Sequence, residues 1–308
     1  MMSQERSSSL MVLVFAVGCS GESGTPLDDS APTVRDEGTL PLSGAGYDAD
    51  GAPEAVVDKY WQASDVDHRA GVRIGFPNGS ACSGFLINDQ TVVTAGHCVS
   101  PFAGSGKSGT FSINLSIDEP SSAFRSLGNF NAHFWFNAAM THQGDLAVIR
   151  TDTWIGNGID TDNFVLIPQT TQSPSGTNWS FGYGFGSPTS TATTNQRMAV
   201  NTVGSVSTLV YVVSGGTGLA CKGDSGGPAL VGTNSAWDLV YGVQSSVSPA
   251  DPMGNCAANG SAAQNKANLT TGSTFVALAV QNDSGNSFKC ANWTTPAGQR
   301  SMWCWQLK

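Results

Sequence analysis

The sequence predicts an all-β protein. Three observations point there. Only 12% of the 308 residues are charged, while 37 are glycine and Ser and Thr are abundant, a composition suited to strands and loops rather than long charge-laced helices. The apolar residues come in short runs, each stopped by Gly, Asn, Pro or Ser. No amphipathic stretch of twelve or more residues carries a helical period, and no repeat of fixed length occurs. Short strands broken by frequent turns make a barrel or a sandwich.

Taken in order, the chain begins with an export signal. Leu10 to Val17 is an eight-residue apolar run followed by Gly18-Cys19-Ser20. It is too short to span a bilayer and fits the core of a secretory leader ending in small residues. Ala16-Val17-Gly18-Cys19 also resembles a bacterial lipobox, which would place a lipid on Cys19; ordinary cleavage nearby is the alternative. Residues 1–19 are read as this leader, and the product as exported: extracellular, periplasmic or lipid-anchored. Residues 20–55 follow as a disordered acidic linker or propeptide, rich in Ser, Gly, Pro and Asp. Between Gly21 and Asp58 stand nine acidic residues and one basic one, so most of the net charge of −9 belongs to this segment. The remainder is close to neutral and offers no clustered Lys and Arg for nucleic acid.

From Val56 the strand pattern starts. Val72–Phe76, Phe85–Ile87 and Thr91–Thr94 are the first expected strands, the latter two joined by Asn88-Asp89-Gln90. Phe111–Ile117, Asn131–Phe136, Leu146–Arg150, Asn163–Ile167 and Trp179–Tyr183 come next. Arg197–Val203, Val206–Val213, the run Ala229–Val231, Trp237–Gln244 and Thr274–Val280 complete the set.

One stretch organises the chemistry: Cys221-Lys222-Gly223-Asp224-Ser225-Gly226-Gly227-Pro228. A serine lies among glycines, whose backbone amides can approach a ligand closely. A turn of this kind can aim the amides of Gly223 and Ser225 at one point, as an oxyanion hole does. A serine hydroxyl is a weak nucleophile alone and requires a base and an orienting acid. Upstream stand Thr94-Ala95-Gly96-His97-Cys98 and Asp145-Leu146-Ala147-Val148-Ile149. His68, His133 and His142 lack the Ala-Gly-His-Cys setting of His97. Asp145 is preferred to Asp152 and Asp160 because it opens an apolar run, which puts a carboxylate at the head of a buried strand. The four histidines are scattered without CxxC or HxxxH spacing, so neither a metal nor a cofactor is expected.

These three segments, in the order His, Asp, Ser, together with Gly182-Tyr183-Gly184, resemble the trypsin-like (chymotrypsin-family) serine endopeptidases of bacterial type. The resemblance spans roughly Val56 to Val280. It implies two antiparallel six-stranded β-barrels with the active site in the cleft between them, within a protease domain at 56–285 whose barrels occupy roughly 56–160 and 161–285. It implies that His97 is the general base, Asp145 the group that orients it, Ser225 the nucleophile, and Gly223 and Ser225 the oxyanion hole. The substrate would be a protein or peptide and the enzyme a monomer. The alternative is a protease-like binding protein that has lost activity.

The resemblance also bears on cysteines, pocket and activation. It implies a Cys82–Cys98 bridge pinning the histidine loop, and a partner for Cys221 at Cys256. Cys290 and Cys304 are then left for each other, in an extension at 286–308 that holds Trp293, Trp303 and Trp305. That extension is either a bridge packing aromatics on the barrel or a small ligand-binding appendage. With Cys19 removed or lipidated, six cysteines remain, an even number suited to an oxidising compartment. Leu219, six residues before Ser225, maps to the base of the primary specificity pocket, with Ser245 and Val247 in its wall; these imply a preference for small or medium apolar side chains. In relatives the aspartate equivalent to Asp224 pairs with a newly exposed N-terminal ammonium. Val56 is the best candidate to supply it, although no Ile-Val-Gly-Gly start is present.

Overall fold

The computed structural model describes residues 71–88, 90–118, 124–137, 144–155, 167–168, 173–187, 189–190, 196–216, 218–231, 240–250, 252–258 and 261–269, with 272, 275–276, 288–294 and 300–306. Cys19, the linker 20–55, Val56, His68, His142 and Asp160 lie outside the described residues.

Two closed antiparallel barrels of six strands each form the body, as expected. The first contains β1 (Gly71–Gly75), β2 (Ala81–Asn88), β3 (Thr91–Thr94), β4 (Ser108–Asp118), β5 (Phe124–Phe136) and β6 (Ala147–Thr151), in the order β1-β2-β3-β6-β5-β4. Its strands alternate inward and outward residues, as in β5, where Phe130, Ala132, Phe134 and Phe136 are buried and Asn131 and His133 are exposed. Leu86, Val92, Phe134, Val148 and Ile149 fill the interior with no exposed surface. Between β3 and β4 the chain makes a four-residue helix, α1 (Gly96–Val99), and one 3-10 turn, Ser100–Phe102. Phe102 packs on Phe76 and Phe111 with ring centroids 5.3 and 5.4 Å away, and Phe111 continues to Phe134 at 4.6 Å. That aromatic row ties the segment after His97 to the barrel core.

The second barrel is formed by β8 (Thr177–Gly182), β9 (Arg197–Val206), β10 (Val210–Ser214), β11 (Pro228–Val231), β12 (Val240–Ser248) and β13 (Ala263–Asn268), in the order β10-β13-β12-β11-β8-β9. A short strand β7 (Ile167–Pro168) joins a third, three-stranded sheet with β14 (Phe288–Thr294) and β15 (Arg300–Gln306), in the order β14-β15-β7.

The differences from expectation have physical reasons. The run Val206–Val213 is not one strand: Ser207 accepts and donates across a turn to Val210, with Ser207 Oγ to Val210 O at 2.9 Å, and the chain reverses between β9 and β10. In place of a strand at Thr274–Val280, the described positions Leu269, Gly272, Phe275 and Val276 are helical. Buried Leu269 and Val276 lie seven residues apart, a helical spacing that an apolar run conceals. β13 was not expected because its inward residues include Gln264, Lys266 and Asn268, which break the apolar signal. β14 and β15 occupy the extension and were not expected as strands. Their antiparallel register sets Cys290 directly opposite Cys304, the pairing left to them by the sequence.

Two disulfides are formed among the described residues, Cys82–Cys98 and Cys221–Cys256, both as expected. The two cysteines of the second pair also bridge each other through their backbones.

Candidate active site

The first barrel presents His97 and Asp145 together. β3 ends at Thr94 and the chain turns through Ala95 into α1, which carries His97 outward with its side chain 41% exposed. Asp145 lies immediately before β6, which pairs with β3 through Thr94↔Ala147, so the two loops emerge side by side. The Asp145 side chain is nearly fully buried. Its Oδ2 lies 2.6 Å from His97 Nδ1, and its Oδ1 accepts the His97 backbone N–H at 2.8 Å. The carboxylate therefore fixes both ring and backbone of one residue. An ionised carboxylate only accepts, so Nδ1 carries the proton and Nε2 is left as the acceptor facing away.

Ser245 supplies a third donor, its hydroxyl meeting Asp145 Oδ2 at 2.7 Å. The resemblance put Ser245 in the pocket wall; its hydroxyl also supports the acid. Burial alone would raise the Asp145 pKa. The His97 hydrogen bond and charge, the Ser245 hydroxyl and the His97 amide more than offset that, and hold it below its ordinary value.

The second barrel brings Ser225. The β11–β12 ladder runs on into the nucleophile turn, with Gly226 N–H to Gln244 O at 2.8 Å and Gln244 N–H to Gly227 O at 2.9 Å. The turn is also docked on the first barrel. Ser83 of β2 donates its backbone N–H to Ser225 O at 2.8 Å and its hydroxyl to Gly223 O at 2.7 Å, and its hydroxyl accepts from Tyr183 N–H at 2.8 Å. Cys98 Sγ, one residue beyond His97, lies 3.8 Å from Ser225 O. Gly226 has φ +87°, and a Cβ there would fall 2.0 Å from Thr94 Oγ1 and 2.2 Å from Ser83 O. Only glycine permits both that backbone and that approach. Ser83 was not singled out from the sequence; a lone serine in an apolar strand gives no signal of a bond to a residue 140 positions away.

Ser225 is partly exposed. Among the described residues the backbone amides of Gly223 and Ser225 meet no acceptor. Gly223 has φ +93°.

Asp224 points the other way, into the second barrel, with 1% of its surface exposed. Its Oδ1 accepts from Gly184 N–H and its Oδ2 from Cys221 N–H, both at 2.7 Å. Leu219 is buried with Ala257 and Ala262, and Val247 packs against this group and against Ala199 and Ala220. Gln264 completes the surroundings, its amide oxygen accepting from Ala220 N–H at 3.2 Å and its amide nitrogen donating to Gly218 O at 3.2 Å.

His133 is exposed on β5 beside Trp135, and Asp152 is exposed; neither belongs to this cluster. Cys82, His97 and Cys98 lie within 4.8 Å of one another, but the two sulfurs are bonded to each other and offer no thiolate to a metal.

Paired six-stranded barrels with an Asp-His pair on one and a glycine-flanked serine on the other define a hydrolase of the chymotrypsin fold. The trypsin family profile matches residues 58–269, and the chain belongs to that family. It is a serine endopeptidase, and its substrates are proteins or peptides. The C-terminal hairpin β14–β15 lies outside the matched residues.

Proposed function

We propose that the enzyme cleaves peptide bonds through Ser225, His97 and Asp145, after small or medium apolar residues, once exported. The observation that carries this reading is the doubly bonded Asp145–His97 unit lying beside the turn that holds Ser225.

In the proposed cycle Ser225 Oγ attacks the scissile carbonyl carbon while His97 Nε2 takes its proton. The oxygen turns into an oxyanion between the Gly223 and Ser225 amides, which have no other acceptor among the described residues. The C–N bond then breaks and His97 returns the proton to the leaving amine. Water attacks the resulting ester with the same base, and the acid is released. Asp145 keeps the proton on Nδ1 and stabilises the imidazolium. Ser245 and the His97 amide support it by holding its carboxylate charged.

Leu219, Ala220 and Val247 are apolar and cannot pair with the charge of Arg or Lys. Apolar walls favour an apolar side chain, and Val247 limits its length. Two disulfides support an oxidising compartment. The leader, with cleavage near Cys19 or lipid on it, provides the route there, and the enzyme acts as a monomer.

Peptide-library cleavage by wild type and Ser225→Ala tests activity and specificity together. Wild type is expected to cut after Ala, Val or similar residues, and Ser225→Ala to lose about 10⁶-fold in kcat. Equal cleavage by both, or cleavage after Arg and Lys, contradicts the reading. An inactive binding protein would show no cleavage in either.

A further inference from the structure

Ser83 lies on β2 of the first barrel and has no exposed surface. Each of its polar atoms is bonded to a segment that carries the chemistry. Its backbone N–H donates to Ser225 O at 2.8 Å. Its carbonyl accepts from Thr94 Oγ1 at 2.7 Å, at the end of the strand that leads to His97. Its hydroxyl accepts from Tyr183 N–H at 2.8 Å and donates to Gly223 O at 2.7 Å. The hydroxyl completes a pattern. The consecutive amides of Tyr183, Gly184 and Phe185 all go to the nucleophile turn. Phe185 N–H donates directly to Lys222 O at 2.8 Å, and Gly184 N–H to Asp224 Oδ1 at 2.7 Å. Tyr183 N–H donates to Ser83, whose hydroxyl passes the bond on to Gly223 O.

Gly223 is the residue this arrangement fixes. Its φ of +93° is open to glycine, and a glycine has no side chain of its own to anchor it there. The carbonyl before its amide, Lys222 O, is held by Phe185, and the carbonyl after it, Gly223 O, by the Ser83 hydroxyl. In a trans peptide the N–H and C=O point opposite ways, so the bond at Lys222 O aims Gly223 N–H away from Phe185. The bond at Gly223 O fixes the rotation on the other side of the same α-carbon. Of these two restraints the second comes from a side chain, so it can be removed without altering the backbone. Among the described residues the Ser83 hydroxyl bonds neither His97 nor Asp145, so base and acid stay as they are when it is lost.

We propose that Ser83 is a positioning residue for the oxyanion hole: its hydroxyl, acting from the first barrel, holds the Gly223 peptide of the second so that the Gly223 amide aims at the substrate's carbonyl oxygen. The inference rests on the Ser225 peptidase reading and adds to it the group that sets one of the two donors.

The test compares wild type, Ser83→Ala and Ser83→Thr in the full chain. Each is assayed for kcat and KM on an alanyl chromogenic peptide, per active site titrated with a fluorophosphonate, so that loss of folded protein does not enter the rate. Each is also assayed for inhibition by a peptide aldehyde, whose adduct with Ser225 places an oxygen anion in the hole, and for the pH profile of kcat/KM. Ser83→Ala is expected to lose about 10- to 10²-fold in kcat, somewhat less than removal of a whole oxyanion donor, with KM within about twofold. Aldehyde affinity is expected to fall by a similar factor, while the acid limb of the pH profile, set by His97, stays in place. Ser83→Thr keeps the hydroxyl and is expected to stay within about threefold of wild type. If Ser83→Ala does not fold, Ser83→Thr is compared with Ser83→Val, which has nearly the same shape and lacks the hydroxyl; the same loss is expected in the valine variant. A hydroxyl-free variant with wild-type kcat per site, an unchanged aldehyde affinity, or a threonine variant no better than the hydroxyl-free one overturns the proposal and leaves the peptidase reading intact. A wild type that neither labels nor cleaves overturns both.

Discussion

The two barrels share a topology and differ in what fills them. The first is packed with aliphatic and aromatic side chains from β1 to β6, among them Phe85, Leu86, Ile113, Leu115 and Phe134, all at 1% exposure or less. The second encloses Asn178, Ser180, Asn201, Gln244, Gln264 and Lys266; some of its apolar residues, Phe181, Leu230 and Val243 among them, join the first barrel's core, and others form smaller clusters. The first barrel is thus a rigid platform for His97 and Asp145. The second gives up apolar packing for a polar interior that shapes Ser225's turn and the pocket. Close-packed hydrocarbon resists deformation, whereas a satisfied polar network fixes one arrangement of a loop.

Substitutions separate the two roles. The largest effect is expected at Asp145, where Asn leaves the volume intact but reverses the hydrogen-bond preference at His97 Nδ1. Asp145→Asn should lower kcat by about 10⁴-fold with little change in melting temperature. Phe134→Ala, in the first barrel, should do the opposite. It should cost about 3–5 kcal/mol of unfolding free energy in urea, with kcat largely retained while the chain is folded. If Phe134→Ala instead abolishes activity in folded protein, the platform is not separable from the site.

In the second barrel, Val247→Gly should widen the pocket. The ratio of kcat/KM for leucyl over alanyl peptides should rise by about 10-fold or more, a shift on the scale of ~1–3 kcal/mol per methylene accommodated. An unchanged ratio would remove Val247 from the wall. The smallest expected effect is a slope. Lys266 has its pKa lowered from 10.5 to about 7 by burial. Between those values the unfolded chain binds more protons than the folded one, so wild type should gain stability as pH rises through that window, by at most about 1.4 kcal/mol per pH unit. Lys266→Met should lack this gain in denaturation curves taken at pH 7 and 9.5. Asp145 acts in the opposite range: its lowered pKa contributes stability that is lost only as pH falls below the ordinary carboxylate range.

The same contrast governs what the sequence disclosed. In the first barrel apolar alternation marks the strands, so β1, β3, β4 and β6 were expected close to where they lie, and β2 and β5 proved longer at their starts. His97, Asp145 and Ser225 stood out because glycines and a cysteine surround them in a specific order. In the second barrel β8, β9, β11 and β12 overlap their expected runs, but where the inward residues are polar, as in β13, the pattern fails. β13 gave no apolar period, so the lysine it carries was passed over. Ser245 was counted along the chain from Gly242 and assigned to the pocket wall; the bond of its hydroxyl to Asp145, 100 positions away, is a further role. Such a bond depends on how two barrels meet and leaves no local trace. Ser83, bonded to Gly223 and Tyr183, was missed for the same reason.

The central claim is that Ser225 is made nucleophilic by the Asp145–His97 unit across the junction of the barrels. Mapping the adduct of a fluorophosphonate on intact protein by peptide mass spectrometry tests it most directly. The account predicts a single adduct on Ser225 in wild type and none in Ser225→Ala, with labelling slowed at least about 10²-fold in His97→Ala. An adduct on another residue, or Ser225 labelling that proceeds as fast without His97, would contradict it.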